Sequence, residues 1–138
     1  MTFRAVSTKR IKRTLLCLAV LVWPFLSLPV AIADDRDDFF ESRIRPVLVS
    51  TCFRCHGDVK TSGSLRVDSR DALLTGGDSG PAIVPGKPAE SLLVRAMGRQ
   101  ADVSAMPPEK DKALRPDQVR DVSTWIAAGA VWPAKTRR

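Results

Sequence analysis

The residues whose types and spacing can do chemistry lie in the run Cys52-Phe53-Arg54-Cys55-His56. Two thiols three positions apart, with an imidazole directly after the second, can form two thioethers with porphyrin vinyl groups while the imidazole binds the iron. Cys-x-x-Cys-His is the shortest unit that supplies all three groups. On a helix turning about 100° per residue, the three side chains project from one arc of about 100°, so one short helix can hold the ring. Gly57 then removes a side chain where the backbone must bend away from the macrocycle.

The same residues admit blander chemistry: a Cys52–Cys55 disulfide, a thioredoxin-like redox pair, or half a zinc site. A closed zinc site wants four ligands, and the chain has a single His and no second cysteine pair. Asp58 could contribute, yet a fourth ligand is still missing. A redox pair belongs near a βαβ pattern, which no segment displays. The spacing points to one haem c, covalent through Cys52 and Cys55.

With His56 committed to iron, no histidine remains for the opposite face. Ser-His triads, His-based zinc hydrolases and bis-histidine haem sites are excluded by that count. The sixth ligand is then Met106, Met97, a lysine, or nothing. Met106 is favoured, because it precedes Pro107 and Pro108, which stiffen the loop that would present the thioether. It also lies 50 positions beyond His56, enough chain to pass around a haem edge. Met97 sits at a core position of a predicted helix, where methionine usually packs. Filled axial positions exclude substrate from iron and leave outer-sphere electron transfer, with a thioether raising the potential.

The formal charge of +7 over 138 residues suggests nucleic acid, but its distribution argues otherwise. Arg4, Lys9, Arg10, Lys12 and Arg13 precede an apolar run from Leu15 to Trp23, and Ala31-Ile32-Ala33 stands just before Asp34-Asp35. That order is the n-region, h-region and cleavage site of a secretory signal peptide, expected to span 1–33 with cleavage after Ala33. The remaining 105 residues carry 17 basic and 15 acidic side chains, so the electrostatic motive for nucleic acid disappears. An uncleaved membrane anchor is the rival, interrupted by Pro24 and Pro29. Cys17 lies inside the h-region and is expected to leave with it. Export to the periplasm suits covalent haem attachment, with both thiols kept reduced until haem arrives.

The elements that must position these residues are helical. Asp38 is expected to N-cap a helix, with Glu41 completing a capping box. Phe40, Ile44, Val47 and Leu48 form one apolar stripe, and Pro46 should kink the helix before it runs into the haem-binding turn. Asp58 to Pro88 is rich in Gly, Ser and Pro, with a helical turn or two over Ser69 to Leu74 ended by Gly76-Gly77. This loop is expected to border the haem, and its carbonyls, that of Pro81 for instance, could accept the proton on the second His56 nitrogen. The glycines match no phosphate-binding pattern. Pro88 to Met97 reads as one helix with Leu92, Leu93, Ala96 and Met97 inward and Gly98 beyond its end. The last helix begins near Pro116-Asp117, buries Val119, Val122 and Ile126, and stops at Gly129, with Trp125 flanking the stripe. Lys135 to Arg138 reads as a solvated tail. There is no strand of useful length and no internal repeat.

Several ordered motifs now stand out. Phe39-Phe40-Glu41 to Ile44-Arg45-Pro46, Cys52-x-x-Cys55-His56-Gly57 and Gly76-Gly77-Asp78-Ser79-Gly80-Pro81 are followed by Pro85-Gly86-Lys87-Pro88-x-x-Ser91-x-Leu93. Then come Met106-Pro107-Pro108 and Trp125-Ile126-x-x-Gly129-Ala130-x-Trp132-Pro133. Together they resemble the planctomycete-type cytochrome c domain, part of the class I cytochrome c superfamily. The resemblance implies an all-α cytochrome c-like fold around one covalently bound haem, occupying 34–138 with its core at about 37–133. It implies that the first and last helices cross with Phe40 against Trp125, that His56 is proximal and that Met106 is the distal ligand. Two departures stand: members are usually the N-terminal module of longer proteins, whereas this sequence ends soon after Pro133, and Arg115 occupies a position where a small polar N-cap is expected.

The expected function is that of a periplasmic electron carrier with one haem, no catalysis of its own and redox proteins as partners. A haem subunit docking to a separate dehydrogenase or oxidase, or a five-coordinate gas-sensing domain, are the alternatives.

Overall fold

The computed structural model describes residues 31–134. The n- and h-regions of the expected signal peptide and the expected C-terminal tail lie outside the described residues. From Ala33 onward the described residues belong to one compact unit.

A continuous helical run covers 31–56 in five pieces. α1 (Ala31–Phe39) passes into a π-helical turn (Phe40–Ile44), α2 (Arg45–Val47), a second π-helical turn (Leu48–Cys52) and α3 (Phe53–His56). The distortion expected at Pro46 thus takes the form of two widened turns flanking it. Proline has no N–H to give, and the neighbouring donors reach one residue further back: Arg45 N–H to the Phe40 carbonyl, and Phe53 N–H to the Leu48 carbonyl. The Ser50 hydroxyl donates to the Pro46 carbonyl at 2.7 Å.

The capping box at Asp38 is corrected. The chain reaches Asp38 already helical from Ala31, so no helix begins there. The Glu41 carboxylate instead takes a forked pair of bonds from Arg45 one turn on, at 2.6 and 2.9 Å.

α4 (Arg70–Thr75) is capped by Ser69, whose hydroxyl accepts the Ala72 N–H at 3.2 Å. Gly76 ends it with φ +75, and a Cβ there would stand 1.9 Å from the Gly80 carbonyl oxygen. Only glycine lets the two strands of this loop close on each other.

The single helix expected from Pro88 to Met97 is split. A 3-10 turn (Pro88–Glu90) is separated from α5 (Leu92–Met97) by Ser91, whose backbone is extended at φ −80, ψ 120. The cause is the buried Ser91 hydroxyl, which accepts the Val84 N–H at 2.9 Å and donates to the Lys87 carbonyl at 3.0 Å. A side chain that bonds nearby backbone competes with the helix for those groups.

α6 (Pro116–Ala127) follows the expected boundaries. Arg115 has no acceptor to cap it, but the Gln118 side chain takes the Arg115 N–H at 3.0 Å and the Arg115 guanidinium holds Asp117 at 3.0 Å. These bonds partly offset the unusual cap residue.

The stripe Phe40, Ile44, Val47 and Leu48 is buried, and it meets Val122, Trp125 and Ile126 of α6. Trp125 is part of the buried face rather than its flank. Val67, Leu73, Ile83, Leu93 and Met97 complete the core. Each such large side chain contributes roughly 1.5–3 kcal/mol through removal from water. Among the described residues pairing outside helices amounts to two isolated bridges, His56 with Thr61 and Gly77 with Gly80; the fold is helical without strands.

Candidate haem site

Cys52, Cys55 and His56 come from the last turn of the N-terminal run and its junction with α3, and all three line one cavity of about 520 Å³. That volume lies in the range of sites for organic groups, ~300–1,000 Å³. The cavity is also lined by α5 and the segment after it, including Met97, Met106 and Pro107. Met106 thus shares one cavity with Cys52, Cys55 and His56, the last of them 50 positions before it.

The position of His56 is set by its backbone: its carbonyl accepts the Val67 N–H at 2.9 Å. Gly57 permits the exit from α3, since a Cβ there would lie 2.6 Å from the Phe53 carbonyl oxygen. Imidazole Nδ1 is buried without a hydrogen-bond partner, so the Pro81 carbonyl does not take its proton. The Gly-rich loop does border the cavity, through Gly77, Ser79, Gly80 and Ala82.

Both thiols are free. Burial, reinforced by the neighbouring Cys55, pushes the Cys52 thiol up to about 11. The site therefore holds Cys52 as a neutral thiol at physiological pH.

The two methionines differ in environment. Met97 is 4% exposed and belongs to the core cluster, whereas Met106 is 36% exposed at the cavity wall. Met106 N–H bonds the Ala96 carbonyl at 3.0 Å, and the Met106–Pro107 peptide is cis. No lysine among the described residues lines the cavity.

Two ion pairs at the cavity had no sequence signal. Arg95 of α5 holds Asp102, and Arg54, between the two cysteines, lies 3.7 Å from Glu109. They bracket the segment that carries Met106. Arg66 is engaged with Asp68.

The donor set can be tested against a covalent porphyrin. Two free thiols, an imidazole with an unsatisfied buried nitrogen, and a thioether, all on one cavity, fit that group.

A strandless helical domain with these residues on one cavity is consistent with a cytochrome c-like fold. Residues 52–110 match the family model of planctomycete cytochrome C. The resemblance read from the motifs is thereby shown for this segment, and a match to that family implies haem c. The terminal motifs around Phe40 and Trp125 flank the matched segment. No curated protein and no solved structure matches the chain.

Proposed function

We propose that the protein is an exported monohaem cytochrome that carries electrons in the periplasm, with His56 and Met106 as axial ligands and no catalysis of its own. The observation that carries this reading is the convergence of Cys52, Cys55, His56 and Met106 on one cavity. Haem bound there would supply one-electron exchange at iron, with the thioether favouring the reduced state.

The chain's own residues do the rest. Cys52 and Cys55 would tether the ring, the backbone bond from Val67 holds His56 in register, and Met106 would supply the thioether. Arg54 and Arg95 are the cations on the cavity wall and suit the propionates. The basic, then apolar, then Ala31-Ile32-Ala33 order supports export and cleavage after Ala33. Redox proteins are the expected donor and acceptor.

The test is maturation in a periplasm equipped for haem attachment. One haem per chain by pyridine haemochrome, a mass equal to residues 34–138 plus haem, and a methionine–iron(III) charge-transfer band are expected. Met106→Ala should abolish that band, lower the potential and admit carbon monoxide to the reduced iron. A colourless product with the mass of bare polypeptide would sink the proposal.

A further inference from the structure

We infer that Arg99 is a positioning residue that clamps the Met106 segment against the cavity from the end of α5. This rests on Met106 being the axial ligand.

The observation begins with a displaced turn. A helix end commonly gives the left-handed conformation to glycine, and Gly98 is available immediately after α5. Yet Gly98 stays right-handed at φ −75, ψ 0, and Arg99 takes φ +56. That region is uncommon for a residue with a side chain. The conformation accompanies a specific reach: Arg99 Nη1 donates to the Pro107 carbonyl at 2.9 Å, and Nη2 makes a looser contact with the Pro108 carbonyl at 3.5 Å.

The backbone completes the grip. The Ala96 carbonyl at the end of α5 accepts the N–H of Arg99 at 3.1 Å and that of Met106 at 3.0 Å. Met106 is thus held through its own N–H on one side and through the next two carbonyls on the other. Pro107 and Pro108 have no N–H, so this part of the segment can be fastened only through its acceptors. Arginine supplies a planar fork of donors with no acceptor of its own, which suits two successive carbonyls.

A neutral thioether is a weak ligand for iron(III), and its retention depends on how often its segment swings away. Exogenous imidazole reports this directly, because it binds iron when Met106 leaves. In the matured holoprotein, Arg99→Ala should bind imidazole about tenfold or more tightly than wild type, the loss of a charge-assisted hydrogen bond, and its methionine–iron(III) band should weaken. Arg99→Lys should fall between the two.

Two further variants separate positioning from plain stability. Arg99→Gly removes the guanidinium together with the left-handed strain, so its thermal stability should exceed that of Arg99→Ala while its imidazole affinity remains raised. Arg70→Ala removes a comparable pair of bonds, from Arg70 to the Ala130 and Gly129 carbonyls at 2.9 and 3.4 Å. It should leave imidazole affinity unchanged. Wild-type imidazole affinity in both Arg99→Ala and Arg99→Gly, or an equal rise in Arg70→Ala, overturns the role given to Arg99 while Met106 stands. Persistence of the charge-transfer band in Met106→Ala overturns the ligand assignment itself, and Arg99 with it.

Discussion

The rings of Phe40 and Trp125 meet with centroids 5.6 Å apart, tilted 50°, and join the helical run that ends in His56 to α6. Trp132 closes the cluster, 4.6 Å from Phe40. The Arg45 guanidinium lies 4.9 Å from the Phe40 centroid, fixed there by Glu41. Phe40→Ala should therefore destabilise the protein by about 3–5 kcal/mol, read as a lower denaturant midpoint of the holoprotein. A loss below about 1 kcal/mol would mean that the cluster is not the joint between these elements.

The two methionines should separate cleanly. Met97→Ala opens a hole in the core and should cost about 2–5 kcal/mol while leaving the charge-transfer band in place. Met106→Ala should do the reverse, removing the band at a smaller cost in stability because Met106 is already 36% exposed. Denaturation and absorption spectra of the same two variants check both halves.

Cys52 predicts a pH dependence for the chain before haem attachment. Below the ordinary thiol value of 9.0, folded and unfolded chains both keep the proton; between there and about 11 only the folded chain does. The folded form binds more protons in that window, so its stability falls as pH rises through it, by roughly 2–3 kcal/mol in all. Unfolding of reduced haem-free wild type and Cys52→Ala at pH 8 and 11 should show the steeper loss in wild type. In the matured protein the thioether has no proton to lose, and this contribution should vanish.

Ser91→Ala should destabilise by about 1–3 kcal/mol, because the Val84 N–H is left buried without its acceptor. Ser91→Thr keeps the hydroxyl but must place a methyl in a fully buried position; it should recover only part of the loss. Equal stability of Ser91→Ala and wild type would show that the break before α5 has another cause.

Much of the architecture was legible because its signals are local. The stripe from Phe40 to Leu48, the boundaries of α6 and the glycine that ends α4 follow from periodicity and helix-stop chemistry, which act within a few residues. The errors fell where a side chain met something distant or competed with the backbone. Glu41 looked like a cap because the preceding helix had no periodic signature. Ser91 looked like an ordinary helical residue because its bond to Val84 depends on how the chain folds back.

By itself the sequence determined the Cys52–His56 turn, since Cys52, Cys55 and His56 are brought together by helical geometry within five residues and need no partner element. It also singled out Met106 through the two prolines that follow it. Only the tertiary structure decided that Met106 and His56 share a cavity, that Met97 serves the core as well as the cavity wall, and that Arg99, Arg95 and Arg54 surround the Met106 segment. Those relationships join α3, α5 and a loop, and a guanidinium's partners are set by where the backbone carries its long side chain in space, which residue order along the chain does not encode locally.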